Sequence, residues 1–275
     1  MKALISVDME GISGIVHSSE TNPERYDYQR GRELMTAEAN AVIAGVLDAE
    51  PTADVLVADA HGTFRNLLPE QLDRRARLVR GKPRALNMLA GLDEETDAAL
   101  FVGYHVRAGE GPGVLAHTMN GEILDVRVAG RSLGEIGLNA AMAGHLGVPV
   151  VLLSGDDAAC AEAAALIPEA VTVPVKEALG MAAAVTLHPE EARDRLRRAA
   201  ADAVSRRREI PPPSLTGPLD VEVDLASPHT IDLATLIPGV SRTAGARTVA
   251  FTAPDYGTAY RLILLLAQLA TIRPA

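Results

Sequence analysis

The sequence predicts an α/β fold: a mostly parallel sheet with flanking helices, followed by a smaller C-terminal α+β lobe. Three observations carry this. Short apolar runs alternate with segments of helical periodicity, as in chains that build a parallel sheet with helices on its faces. The chain has 275 residues, 48 % hydrophobic and 23 % charged, enough for a substantial core and too apolar for a disordered chain. Near residue 185 the pattern changes, and a period-two strand appears beyond a proline-rich stretch.

In chain order, strands are expected at Ala3–Val7, Val55–Ala58, Ala99–Val102 and Val148–Leu153. Between the first two lies a helix from about Arg32 to Asp48, whose Leu34, Met35, Val42, Ile43, Val46 and Leu47 fall on one face. A second helix, about Leu133 to His145, precedes the Val148 strand, and a third follows Asp156 and Asp157. Pro189, Glu190 and Glu191 open another helix that Arg206, Arg207 and Arg208 close, matching the helix dipole at both ends. Residues Pro211 to Pro218 read as a stiff linker. Beyond it come an alternating strand, Leu219–Asp224, a strand near Thr248–Thr252 and a helix from about Asp255 to Leu269. The expected division is therefore 1–185 as a metal-binding α/β catalytic domain and 186–275 as a smaller α+β lobe.

Charge and composition exclude several functions. With 36 acidic and 26 basic side chains the net charge is −10, which opposes nucleic-acid binding and suits a protein that holds cations. Aromatics are 3 % and Trp is absent, so stacking platforms for bases or sugars are not expected. Asp8 and Glu10 interrupt any signal-like apolar stretch, and no apolar run approaches the ~20 residues of a membrane span. Cys160 is the only cysteine, which rules out an internal disulfide and a Cys-based zinc cluster. A cytoplasmic enzyme or binding protein is the expectation.

The chemistry concentrates at strand ends. The first strand runs into Ser6-Val7-Asp8-Met9-Glu10-Gly11, where Asp8 and Glu10, two apart, share a face of an extended chain. Open α/β sheets place ligands at such carboxyl ends, and two carboxylates there repel each other without a cation. A solvated strand end with a helix cap accounts for this pair equally well. The second strand ends Asp59-Ala60-His61-Gly62 and the third Gly103-Tyr104-His105. Three successive strands thus set Asp8, Glu10, His61 and His105 along one sheet edge, a donor set suited to Zn²⁺ or Mn²⁺. From spacing alone, Glu135 reads as the acid of a capping box with Ser132. His117 follows the glycine-rich stretch Ala108–Gly113, a candidate lid or collar, and reads as an acid–base group. His145, His188 and His229 read as structural, and His17 as a loop residue.

Ser6-Val-Asp-Met-Glu-Gly-Ile-Ser-Gly14 resembles the N-terminal signature of the D-aminopeptidase family of dizinc peptidases. Arg30-Gly-Arg32, Met35-Thr36, Glu38-Ala-Asn40, Asp59-Ala-His61, Gly103-Tyr-His105, Pro112-Gly-Val114 with His117, Gly134-Glu135, Gly137-Leu-Asn-Ala140 and Gly155-Asp-Asp157 continue the resemblance in family order over nearly the whole chain. The resemblance implies two Zn²⁺ per chain, with Asp8 bridging, Glu10 and His61 completing one site, and His105 and Glu135 the other. It puts His117 at the family's catalytic histidine and replaces the capping role for Glu135. It further implies hydrolysis of short peptides, including those with N-terminal D-residues, by a zinc-bridged hydroxide, in stacked pentameric rings that form a homodecamer. Asp59 is a candidate support for the ligands and Lys176 a candidate contact for an oxyanion or carboxylate. Residues 119–125 depart from the family pattern, so side-chain and chirality preference are left open. Alternatives are a dimetal hydrolase of another amide or of a phosphoester, with Arg30 or Arg32 as clamps, and a non-catalytic peptide-binding protein.

Overall fold

The computed structural model describes residues 1–243 and 247–272. Its larger sheet is built from β1 (Lys2–Val7), β2 (Asp54–Asp59), β3 (Arg77–Val79), β4 (Ala98–Tyr104), β7 (Val150–Asp156), β8 (Val171–Gly180) and β9 (Ala183–Thr186). The spatial order is β3-β2-β1-β4-β7-β8-β9, parallel throughout except for β9, which turns back on β8. Helices α1 (Ser18–Thr21), α2 (Tyr28–Ala49), α3 (Glu135–His145), α4 (Asp157–Leu166) and α5 (Pro189–Ser205) cover it. β1 and β4 are buried along nearly their whole length, which is why they read as unbroken apolar runs rather than alternating ones.

A second, antiparallel sheet has the order β11-β12-β10-β5-β6, from β5 (Ile123–Val128), β6 (Arg131–Ser132), β10 (Leu219–Leu225), β11 (Ser241–Arg242) and β12 (Thr248–Ala253). The helices α6 (Pro228–Ala234) and α7 (Tyr256–Leu269) pack on it. This sheet recruits β5 and β6 from residues 123–132, ahead of the expected change near residue 185, while α5 lies beyond 185 yet packs on α2. The α5–α2 contact includes the Arg197–Asp48 ion pair at 2.6 Å. Among the described residues no helix is long and apolar enough to cross a membrane.

The topology fixes where a ligand can sit. From β1 the chain builds outward through β2 and β3 on one side, then crosses to build β4, β7 and β8 on the other. The carboxyl ends of β1 and β4 therefore flank a topological switch point, where the connecting loops part and leave a crevice. A buried polar chain underlies it. The Tyr260 hydroxyl donates to Asn139 Oδ1 at 2.7 Å, and Asn139 Nδ2 donates to the Tyr104 hydroxyl at 3.1 Å. That hydroxyl lies 2.8 Å from Ser6 Oγ, which donates to the Met88 carbonyl. Each buried polar atom along this path has a partner, as burial requires.

Candidate metal centre

Four elements bring the six sequence-selected residues to the crevice. Asp8 and Glu10 follow β1, His61 follows β2, His105 follows β4, and Glu135 opens α3; His117 comes from the loop between β4 and β5. The approach is close because two glycines permit it. Gly103 has φ +69°, and a Cβ there would lie 2.5 Å from the Asp8 carbonyl oxygen; a Cβ on Gly11 would run into the Tyr104 carbonyl.

Asp8 lies at the middle. Its Oδ1 is 3.3 Å from His61 Nδ1, and its Oδ2 is 3.5 Å from His105 Nε2. Glu10 Oε2 lies 3.0 Å from His61 Nδ1, and Glu135 Oε1 lies 3.3 Å from His105 Nε2. Asp8, Glu10 and His105 offer donor atoms all within 4.8 Å of one another, as do His105, His117 and Glu135. Asp8 Oδ2 and His105 Nε2 are buried with no hydrogen-bond partner, unusual for such atoms unless something else binds them.

The outer nitrogens fix the tautomers. Carbonyl oxygens only accept, so His61 Nε2–H donates to Thr21, His105 Nδ1–H to Val106 and His117 Nδ1–H to Leu115, at 2.9, 3.1 and 2.8 Å. The other nitrogen of each ring thereby faces the carboxylates, the arrangement metal-ligating histidines use once that nitrogen has given up its proton. Without a cation the group is electrostatically frustrated. Burial, followed by the Glu10 charge, raises the Asp8 carboxyl above its ordinary range. Burial works against charge on Glu10 and His61 as well, yet each is outweighed by the other, leaving Glu10 low and His61 high. His105 is disfavoured as a cation by burial, but Glu135 and Asp8 push it up to about 10. Divalent cations between these groups would relieve the same frustration, so the residues present fit a metal centre.

The supports differ from the sequence expectations in two places, Glu135 and Lys176. Glu135 closes no capping box: Gly134 is the N-cap without a side-chain bond, and Ser132 Oγ donates to Asp125 instead. Glu135 Oε1 accepts from Met119 N–H at 2.7 Å, which ties the His117 segment to α3. Lys176 reaches no oxyanion position. Its buried Nζ donates to the carbonyls of Glu10, Ile12 and Ile15 at 2.5, 2.9 and 2.5 Å, pinning the turn after β1. Asp59 touches no candidate ligand directly. It accepts from Asn66 N–H, Asn66 Nδ2 and Leu67 N–H at 2.6–2.8 Å, and the same Nδ2 donates to the His61 carbonyl. Sequence reading missed Asn66 altogether, and a contact seven residues away leaves no local pattern that would have found it. Glu162, also missed, accepts from Arg107 N–H at 2.9 Å and steadies the chain just past His105.

His117 differs from the framework. Its side chain is 27 % exposed against 1 % for His105, whose ring it stacks on at 4.0 Å, and its Nε2 lies 3.7 Å from Glu135 Oε1. Burial and the neighbouring His105 lower its pKa. It faces a cavity of about 240 Å³ that Asp8, His61 and Glu135 also line. Neither Arg30 nor Arg32 lines that cavity: Arg30 pairs with Glu33 on α2, and Arg32 donates to the Asn66 carbonyl. His17 and His188 cap α1 and α5, and Cys160 is a buried thiol pushed up to about 12 by burial.

A family model described as D-aminopeptidase matches residues 1–265. A D-aminopeptidase of Bacillus subtilis (strain 168) is 37 % identical over 270 residues, spanning 98 % of both chains. The solved structure of the Zn-dependent D-aminopeptidase DppA from Bacillus subtilis, described as a self-compartmentalizing protease, superposes with a TM-score of 0.96 at 36 % identity over 100 % of both chains.

Proposed function

The chain belongs to the D-aminopeptidase family, and on that premise we propose that it is a zinc-dependent aminopeptidase that hydrolyses short peptides, including those beginning with a D-residue. The observation that carries the reading is Asp8, whose two oxygens face two separate imidazoles while Oδ2 and His105 Nε2 have no hydrogen-bond partner. Asp8 would be shared between two Zn²⁺ ions, with Glu10 and His61 holding one and His105 and Glu135 the other. When bound, the pair supplies Lewis acidity at the scissile carbonyl and acidifies water to a pKa near ~7.

The protein's own groups do the rest. His117, held by its Nδ1–H on the Leu115 carbonyl, presents a free Nε2 to the cavity. Its lowered pKa keeps it neutral near pH 7, able to take a proton there and pass it to the departing amine. Asp59 with Asn66, and Lys176, hold the His61 and Glu10 segments still. The phosphoester reading loses its support, because Arg30 and Arg32 are engaged elsewhere. The intact donor set with His117 beside it favours catalysis over mere peptide binding.

Two further parts of the reading rest on the relatives and on composition. The further proposal is assembly into stacked pentameric rings: a relative described as self-compartmentalizing supports an enclosing oligomer, and exposed Leu179, Met181 and Val185 on the β8–β9 hairpin offer apolar surface for it. A cytoplasmic setting accords with a single unpaired thiol. The decisive experiment is a screen of L- and D-aminoacyl amides with zinc-loaded protein. Hydrolysis that a chelator abolishes is expected; no turnover on any of them would contradict the reading.

A further inference from the structure

The Gly155-Asp-Asp157 motif supplies no candidate ligand, and Asp156 does not line the metal-centre cavity. Asp156 is nevertheless buried, at 1 % exposure. It ends β7, which lies beside β4 in the sheet, and is the N-cap of α4. Its Oδ1 accepts from Ala159 N–H at 2.7 Å, the ordinary capping bond. Its Oδ2 accepts from Val114 N–H, also at 2.7 Å, 42 residues earlier in the chain and three before His117. A cap needs only the first bond, which a serine would supply as well. The second bond ties a different segment.

The segment that carries His117 needs such a hold. Gly109 to Pro112 are exposed, and the chain turns inward at Gly113 and Val114, which are buried. Leu115 and Met119, on either side of His117, have φ of +52° and +62°. Residues with side chains adopt that region at a cost and keep it only where neighbouring contacts fix it. Leu115 N–H donates to the Met181 carbonyl at 2.8 Å, and Met119 N–H donates to Glu135. The first of these also leads back to the motif, since Asp157 Oδ1 accepts from Ala178 N–H at 2.8 Å, on the strand that ends just before Met181. The His117 ring hangs by Nδ1–H on the Leu115 carbonyl, one residue past Val114, so a shift of Val114 moves the ring. We propose that Asp156 is a positioning residue for His117: its carboxylate joins the cap of α4 to the Val114 N–H and so sets where the His117 Nε2 stands. This rests on the aminopeptidase reading above, with His117 as its acid–base group.

The test is a double-mutant cycle with rates normalised to bound zinc. Asp156→Ser keeps a capping oxygen for Ala159, and its single short hydroxyl cannot also reach Val114. Zinc content should match the wild type, and hydrogen exchange at the Val114 N–H should speed up. For a D-aminoacyl amide, kcat should fall roughly 10–100-fold with KM little changed, the cost of about 1 Å of misplacement. In a His117→Ala background the same substitution should cost less than about 3-fold, because the group it positions is gone. Asp156→Asn, which keeps the shape with a single acceptor oxygen, should behave alike and stands in if the serine protein does not fold. Wild-type kcat, unchanged exchange at Val114, an equal fall in the His117→Ala background, or zinc lost in step with kcat would overturn the positioning role and leave the peptidase reading intact. No hydrolysis by the zinc-loaded wild type would overturn both.

Discussion

At the scale of single residues, His61 and His117 differ in what their loss removes. His61 Nδ1 lies within 3.3 Å of both Asp8 and Glu10, so His61→Ala is expected to lower zinc content and activity together. His117 is the most exposed of the three site histidines and sits on a loop rather than directly at a strand end. His117→Ala should keep both metals and lose roughly 10²–10⁴-fold in kcat, the usual contribution of a positioned acid–base group. Paired zinc stoichiometry and kcat for the two variants check this. A His117→Ala enzyme that loses zinc would make it a ligand, and one that turns over at near wild-type rate would remove its catalytic role. The residues at strand ends were legible in the sequence because the chain must place whatever follows a buried parallel strand at the same edge. Spacing alone gives Glu135 a capping role, because Ser-x-x-Glu satisfies the capping-box pattern, and only the resemblance made it a ligand; Gly134 takes the cap and leaves the carboxylate facing His105. Lys176 was misread: its charge suggested an anion, but burial surrounds it with carbonyls.

At the scale of elements, the site depends on turns that side chains tie down. The turn after β1 carries Glu10 and hangs from Lys176, which lies within β8 opposite the end of β7. Lys176→Met leaves the Glu10, Ile12 and Ile15 carbonyls without this donor, a loss of roughly 2–4 kcal/mol at pH 7 by the cost of unsatisfied buried groups. Burial lowers the Lys176 pKa to about 8, against 10.5 in its ordinary state. Between those values the unfolded chain binds the proton that the folded chain has released, so the lysine's contribution to stability rises with pH. The stability gap between wild type and Lys176→Met should therefore be wider at pH 9.5 than at pH 7 in urea unfolding; a narrowing gap would contradict the assignment. The β2–β3 turn makes a parallel case. Asn66→Ala removes the Nδ2 that joins Asp59 to the His61 carbonyl, and zinc affinity should fall roughly 10–100-fold, as for other residues that orient ligands. Competition with a chelator measures it, and unchanged affinity would mean the turn holds without Asn66. The main strands and α2 were readable because apolar runs and a one-sided helix face survive in any context. The short β3, β6 and β11 were not, since two or three residues carry no period and partners distant in sequence decide their pairing; in the β8–β9 hairpin Pro174 interrupts the strand pattern.

At the scale of the whole molecule, the two sheets share the cavity. Asp8, His61 and Glu135 come from the larger sheet and α3, while Ala267, Gln268 and Thr271 come from the end of α7, which packs on the smaller one. A composition shift near residue 185 cannot reveal that β5 and β6 cross to join β10, because strand exchange between sheets leaves no mark on local composition. Assembly bears on the same region. The Met181 carbonyl at the turn of the exposed β8–β9 hairpin accepts from Leu115 N–H at 2.8 Å, two residues before His117. Light scattering at micromolar concentration should report a decamer, and a monomer would sink the ring assembly. The hydrophobic core is built by apolar residues of the sheets and helices and includes none of the candidate ligands, so a chelator should abolish activity and leave the far-ultraviolet circular dichroism unchanged. Most direct of all is a titration of zinc into chelator-stripped protein, following hydrolysis of a D-aminoacyl amide. The rate should climb and level off at two equivalents per chain. Full activity without zinc, a plateau at one equivalent, or no hydrolysis at any zinc level would contradict a two-metal peptidase.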